Sequence, residues 1–422
     1  MRLNSPKINL ERLWRTIMET ATFGRTHDGG IRRLTLSQED REVRDWLRLQ
    51  GEALGCTVSV DAVGNMFLLW PGRNAESLPL AIGSHLDTQP TGGKFDGILG
   101  VLAGLEVLRT LDDAGIETEN PLLLVNWTNE EGSRFAPAML GSGVHAGVFD
   151  QEFANGRIDA SGVSFSEAID EIGYRGDAPV GTTRFAAMFE LHIEQGPVLE
   201  REGADIGVVT GVQAMRWYDL AITGEEAHAG STPMSMRTDA LADAASILLG
   251  AQRVARKFGG LATTGQLTVG TPSRNVVPGR VTMSLDLRHE SDSELDRMEA
   301  EVKSLVHERC GERGDLQTIW NSPAVRFDIQ CVQAVRTAAR RCGASTRDIV
   351  SGAGHDAAYV SRVAPTAMIF VPCKGGLSHN PAESATPEHC ALGAQVLLET
   401  VLDAGAVGGQ PEVARTDRIP HI

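Results

Sequence analysis

The sequence is short of the features that would place it in a membrane, outside the cell or on nucleic acid. No uninterrupted apolar run approaches the roughly 20 residues that span a bilayer. Met1–Leu10 carries charged and polar residues where a signal peptide needs an apolar stretch. Cysteine is sparse: Cys56, Cys310, Cys331, Cys342, Cys373 and Cys390 are dispersed, with no C-x-x-C pair. That spacing excludes a zinc finger or disulfide framework and fits reduced thiols in the cytoplasm. Basic charge is outnumbered, with 39 Lys and Arg against 55 Asp and Glu and a formal charge of −16. No basic stripe offsets this, which argues against nucleic acid or an anionic membrane as partner. Internal repeats and low-complexity blocks are absent as well.

What is present is a full complement of core. The chain has 422 residues, 42% of them hydrophobic, more than one core usually serves, so two domains are expected. Helices are predicted at Leu10–Thr20, at Ser37–Leu54 with a Ser37 cap, and at Ile98–Leu111, where Val101, Leu102, Leu105 and Leu108 share a face. Alternation in Thr57–Val60 and Asn65–Trp70 predicts paired strands, and Leu78–His85 and Pro121–Thr128 read as buried ones. This rhythm predicts an α/β catalytic domain whose mixed, largely parallel sheet is flanked by helices.

After about Gly211 the order becomes strand Met215–Thr223, helix Asp239–Phe258, strand Leu261–Val269, strand Arg280–His289, helix Ser293–Arg309 and strand Asp315–Val325. That is the split β-α-β order of a small α+β, ferredoxin-like domain. The α/β pattern resumes with helix Ile329–Arg341, strand Thr366–Pro372 and helix Pro387–Leu402. The expected organisation is a catalytic domain at 1–212 and 328–404, interrupted by a satellite at 213–327. A Gly-, Pro- and charge-rich tail at 405–422 is expected to pack little.

Several strands end in chemistry. His85 and Asp87 in Ser84-His85-Leu86-Asp87-Thr88 are two apart, so alternation should project them together, the carboxylate holding one imidazole nitrogen. Asp96, in Gly92-Gly93-Lys94-Phe95-Asp96-Gly97, precedes a helix and has an N-cap as its plain reading. Glu130 and Glu131 follow another buried strand, where adjacent carboxylates usually form a solvated loop face. His192 ends a fourth apolar strand and His379 follows a fifth. Alone, each has a structural explanation; together, at the carboxyl edge where open α/β sheets bind ligands, they read as a site. Five nitrogen and oxygen donors suit zinc, manganese, cobalt or nickel rather than an iron–sulfur centre.

The segments GSHLDT, GGKFDGILG, TNEEGSRF, LHIEQGP, EAHAGSTPM, SRNVVPG, SLDLRH, SGAGHDA and FVPCKGGLSHNPAE run from the first strands to the last helix. In this order they resemble the zinc aminoacylase and carboxypeptidase-type dinuclear metallohydrolases, and specifically the hydantoinase/carbamoylase branch. The resemblance implies two divalent metal ions per subunit, with zinc first and manganese, cobalt or nickel as alternatives. Asp96 would bridge them, His85 and His192 completing one site, Glu131 and His379 the other. It further implies Glu130 as general base, Asp87 as the carboxylate orienting His85, and a smaller domain that forms the dimer interface of a homodimer.

In the same resemblance, His228 is the satellite-domain imidazole that reaches the oxyanion from the partner subunit; its plain alternative is a turn histidine. Arg288 is the expected clamp for a substrate carboxylate, because a guanidinium fork binds it bidentately, with Asn275 assisting. Gln195 and His355 match positions near the substrate, although His355 and Asp356 also read as a structural pair at a helix start. With Arg288 and His228 on the satellite domain, closure is expected to assemble the site. The implied reaction is hydrolysis of an N-carbamoyl-L-amino acid, a small carbamoyl or ureido carboxylate, to amino acid, ammonia and carbon dioxide. Allantoate amidohydrolase is the runner-up, followed by β-ureidopropionase and an aminoacylase or dipeptidase. A non-catalytic binder or scaffold on the same fold is the competing class, disfavoured by the complete ligand set and Glu130.

Overall fold

The computed structural model describes residues 5–404; the expectation for the tail at 405–422 lies outside them. The chain divides into two units, one built from residues up to Gly211 and from Phe327 onward, the other spanning Val212–Arg326.

The larger unit is organised by a nine-stranded sheet. At its centre, Leu122–Trp127, Leu80–His85, Ala187–Ile193 and Thr366–Val371 lie side by side in that order, all parallel. Every residue of these four strands is buried, which explains why they read as continuous apolar runs rather than alternating ones. Met66–Trp70 adds antiparallel to the first of them, followed by Thr57–Val60; Ile206–Val212 pairs antiparallel with Thr366–Val371. Because the four central strands are parallel, their carboxyl ends open at one edge. That edge carries residues 86–97, 128–131, 192–195 and 372–379.

Helix Leu10–Thr20 is capped by Asn9, and Gln38–Ala53 by the predicted Ser37, whose hydroxyl accepts from the Asp40 amide. Helix Ile98–Asp113 departs from the one-faced expectation: nearly all of it is buried, Glu106 included. The cost of burying that carboxylate is offset by Arg12, whose Nε and Nη2 bond it at 2.8 and 2.9 Å. No helix among the described residues is long and apolar enough to cross a membrane, and all six cysteines are unpaired thiols.

The smaller unit has an antiparallel sheet with Arg280–His289 and Ala214–Thr223 in its middle and Gly314–Ser322 outside the latter. Helices Ala240–Phe258 and Asp292–Cys310 supply Ile247, Ala251, Met298 and Val302 to a core shared with Leu220, Ile222, Leu285 and Leu287. The strand expected at Leu261–Val269 is instead two segments, Leu261–Thr263 and Leu267–Val269, with a one-residue register slip between them. The slip is accommodated where the Gln266 amide turns to the Ser284 hydroxyl. The strand expected at Asp315–Val325 likewise stops at Ser322. A separate two-stranded ribbon pairs Ala227–His228 with Val276–Val277.

Candidate active site

At the carboxyl edge of the parallel strands, the structure of the larger unit brings together nine of the residues singled out from the sequence. His85, Asp96 and His192 place three ligand atoms within 4.8 Å of one another, and Asp96, Glu131 and His379 place another three. Asp96 belongs to both groups and divides its oxygens between them. Oδ1 lies 3.1 Å from His192 Nε2 and 3.9 Å from His85 Nε2, while Oδ2 lies 3.3 Å from His379 Nε2. Glu131 Oε2 stands 3.5 Å from the same His379 nitrogen, and Glu130 Oε2 is 3.5 Å from His85 Nε2.

The backbone orients two of the imidazoles. His85 Nδ1–H donates to the Asp87 carbonyl at 3.0 Å, and His192 Nδ1–H to the Ile193 carbonyl at 2.9 Å. Both tautomers leave Nε2 as the lone-pair nitrogen facing Asp96. The Asp87 carboxylate sits 3.6 Å from His85 Nδ1 and also accepts from the amides of Glu130 at 3.2 Å and Glu131 at 3.3 Å. The strand ends at His85, so alternation does not govern where Asp87 points. The plain N-cap reading of Asp96 falls away, because Gly97 caps the following helix, whereas His355 and Asp356 do stand at a helix start, His355 being the N-cap of Asp356–Val360 without a side-chain capping bond.

Three non-glycine residues at this edge have left-handed backbones: Asn129 at φ 60°, Gln195 at 58° and His379 at 53°. Such strain is held only where the surroundings dictate it. Gln195 Nε2 donates to Asp96 Oδ2 at 2.9 Å, placing this residue inside the donor cluster rather than beside it. His355 is buried with its ring 4.6 Å from that of His192, and Ser351 Oγ lies 3.0 Å from its Nε2.

The electrostatics describe a cavity with too much negative charge. Burial, then the charges of Asp356, Glu131, Asp87 and Asp96, pushes Glu130 well above the usual carboxylate range. Burial together with Asp96 and Asp87 does the same to Glu131. Burial and Asp40 push Asp87 up to about 7. Asp96 goes the other way: despite burial, hydrogen bonds to His192 and His379 hold it well below its ordinary value. His192 is raised to about 9 against its own burial by that contact, whereas burial drives His85 down to about 4. Crowding of Asp96, Glu130 and Glu131 around the imidazoles marks a position where positive charge is stabilised, and a divalent cation would relieve the repulsion among the carboxylates. The mixed imidazole and carboxylate donors fit a borderline cation of the zinc type.

The other three residues singled out from the sequence belong to the smaller unit. His228 is exposed on the two-stranded ribbon, and its Nδ1 accepts from the amides of Gly230 at 3.0 Å and Ser231 at 3.1 Å. That fixes the tautomer with Nε2–H as a donor. On the facing strand's approach, Asn275 anchors the ribbon through its carbonyl, which accepts from the Ala229 amide, and its Oδ1 accepts from Ser273. Arg288 is gripped by Asp286, Nε and Nη2 both bonding the carboxylate at 2.7–3.0 Å.

Sequence reasoning missed the supports. Gln89 holds both oxygens of Glu131, through its amide at 3.0 Å and its Nε2 at 2.7 Å. Arg33, wholly buried, donates to the Leu86 carbonyl at 2.7 Å and braces the loop between His85 and Thr88. Glu190 accepts from Ser84 at 2.6 Å beneath the site, and Glu383 binds the loop that carries Asp96. Glu383 closes the segment FVPCKGGLSHNPAE, and nothing in its spacing marks it.

Comparison with known proteins agrees with this geometry. The description Peptidase family M20/M25/M40 matches residues 81–403. An N-carbamoyl-L-amino-acid amidohydrolase of Rhizobium meliloti is 47% identical over 406 residues, covering 95% of this chain and 98% of its own. An allantoate amidohydrolase of Bacillus subtilis (strain 168) is 34% identical over 388 residues, covering 90% of this chain and 94% of its own. The crystal structure of a hydantoinase/carbamoylase-family amidase from Burkholderia multivorans is 50% identical, covers 95% of this chain and 98% of its own, and superposes with a TM-score of 0.92. The chain belongs to peptidase family M20/M25/M40, a metal-dependent family, and within it to the hydantoinase/carbamoylase amidases.

Proposed function

We propose that this protein hydrolyses the carbamoyl C–N bond of N-carbamoyl-L-amino acids, giving the amino acid, ammonia and carbon dioxide. The observation that carries this reading is the division of Asp96 between two donor groups, with the buried Glu130 carboxyl beside His85. The 47% identity to an enzyme of that name over nearly the whole chain supports the substrate class. Asp96 would be shared by two divalent ions, His85 and His192 holding one, Glu131 and His379 the other. Zinc is the first candidate, with manganese, cobalt or nickel as alternatives. When bound, the metals supply Lewis acidity that makes water nucleophilic near neutral pH.

Glu130 takes a proton from the attacking water and delivers it to the departing nitrogen, a role suited to a carboxyl whose proton affinity is raised by burial and neighbouring charge. Asp87 holds the Glu130 and Glu131 amides so that both carboxylates face the cavity. His228 offers Nε2–H to the developing oxyanion, a donor worth about 3 kcal/mol in the transition state. Arg288 binds the substrate carboxylate, with Asn275, Gln195 and His355 completing recognition. A cytoplasmic homodimer is the form we assign; the six unpaired thiols support a reducing compartment.

Ammonia release from purified, zinc-loaded protein tests the assignment with N-carbamoyl-L-methionine, allantoate and N-carbamoyl-β-alanine offered separately. Preference for the first supports the proposal. Preference for allantoate moves the chain to the second reading, which the Bacillus subtilis relative favours. Silence on all three, with metal bound, removes the ureido substrates.

A further inference from the structure

We propose that Glu383 is a positioning residue that fixes how Asp96 is presented to the two donor groups; the inference rests on the metal-binding reading of Asp96 and His379. Glu383 follows His379 in the loop Asn380-Pro381-Ala382-Glu383 and is 4% exposed. Its Oε1 accepts from the amides of Phe95 at 2.9 Å and Asp96 at 3.1 Å. Its Oε2 lies 2.9 Å from Ser378 Oγ, and that hydroxyl is 3.0 Å from Asp96 Oδ2. One carboxyl group thus grips the backbone of Asp96 and, through Ser378, its side chain. The two loops are 288 residues apart in the sequence, with the smaller unit between them.

The Asp96 loop needs such a clamp. Gly92-Gly93-Lys94 gives it little stiffness of its own, and the two bonded amides are buried donors that would otherwise be unsatisfied. Packing is close: a Cβ on Gly93 would come within 2.2 Å of Glu383 Oε1, so the loop lies directly on the carboxyl group. Asp96 can face both groups only while its oxygens keep their present directions, 3.1 Å from His192 and 3.3 Å from His379.

Counting protons distinguishes this role from a purely electrostatic one. Ser378 has a single proton and two carboxyl oxygens within reach. A glutamine at 383 satisfies every partner at once: Oε1 keeps both amides, Nε2 donates to Ser378 Oγ, and the serine proton goes to Asp96. A positioning role therefore survives E383Q and is lost in E383A, whereas a role for negative charge is lost in both.

The test is zinc affinity of the metal-stripped full-length chain, measured by competition with a chromophoric chelator for wild type, E383A, E383Q and S378A. Thermal unfolding of each stripped chain separates loss of fold from loss of positioning. E383A is expected to bind zinc about 10–100-fold more weakly, the range for groups that orient metal ligands. E383Q is expected to stay within about threefold of wild type, with S378A between the two. Wild-type affinity in E383A, or a loss in E383Q equal to that in E383A, overturns the proposal. If E383A does not fold, S378A decides: weakened binding supports the clamp and unchanged binding overturns it. Failure of the metal reading shows separately, as a wild-type chain without zinc affinity.

Discussion

Gly97→Ala is the substitution for which the structure gives the sharpest expectation. Gly97 has φ 66°, and a Cβ built on it would lie 2.2 Å from His85 Cε1, 2.3 Å from Nε2 and 2.4 Å from Nδ1. Carbon atoms in contact sit about 3.5–4.0 Å apart, so the ring or the loop must move by more than about 1 Å. The ring has nowhere to go, being 1% exposed and tied to the Asp87 carbonyl. The backbone of Gly97, at φ 66° and ψ −56°, lies in a sparsely populated region that costs about 1–3 kcal/mol for a residue with a Cβ, and overpacking costs about 1–3 kcal/mol. Their sum, about 2–6 kcal/mol, reaches only the low end of the stability of an ordinary domain, so the variant should fold with a lowered melting temperature. Function should suffer more: a displacement of about 1 Å in a positioned group costs about 100-fold in rate. The Gly97 amide also donates to His192 Nε2 at 3.1 Å, so both imidazoles of one donor group are disturbed.

Gly203→Ala supplies a positive-φ reference without a clash, because Gly203 has φ 65° and ψ 31° and nothing within 4 Å of its Cβ position. Thermal unfolding, zinc stoichiometry and ammonia release measured on both variants separate strain from clash. Zinc content and turnover like wild type in Gly97→Ala would refute the reasoning, since the loop would then have absorbed the methyl without moving His85.

Other outcomes follow from the same geometry. Glu130→Gln should lower kcat by about 10²–10⁴-fold at unchanged zinc content; activity within tenfold of wild type would remove it as the proton carrier. Arg288→Ala should raise KM strongly and leave bound metal intact, whereas an unaltered KM would remove the clamp assignment. Asp40→Asn breaks a fully buried ion pair with Arg44, bonded at 2.8 Å, and should cost about 3–5 kcal/mol of stability. An unshifted urea midpoint would show that the pair contributes nothing net.

The parts of this protein that sequence reveals are those governed by local rules. Continuous buried runs announced the parallel strands, and Ser37 and Asp239 announced helix starts that the structure places within a residue. His85, Glu131, His192 and His379 stand out because each ends or follows such a run, and Asp96 because it opens the helix after the first of them. The break at Thr264–Gln266 was hidden, since it depends on Ser284 across the sheet rather than on neighbours in the chain. Gln89, Arg33 and Glu383 were hidden for a related reason. Each acts by bonding loop backbone or a carboxylate distant in sequence, and a polar loop residue that does so looks like any other. The Asp286 grip on Arg288 sits two residues away on one strand face, and was readable in principle as an i, i+2 charge pair.

The interrupted layout of the larger unit also orders events at the ribosome. Thr366–Val371 slots between Ala187–Ile193 and Ile206–Val212, yet it is synthesised after the entire smaller unit. Until it emerges, Ala187–Ile193 has one side of its backbone unpaired and its apolar residues uncovered, a nascent edge open to wrong partners. The first donor group can be complete once His192 has been made, whereas the second must wait for His379. The candidate centre is thus completed only after the smaller unit has been made, and a truncated product stopping before Thr366 would carry half of its donors on an open sheet.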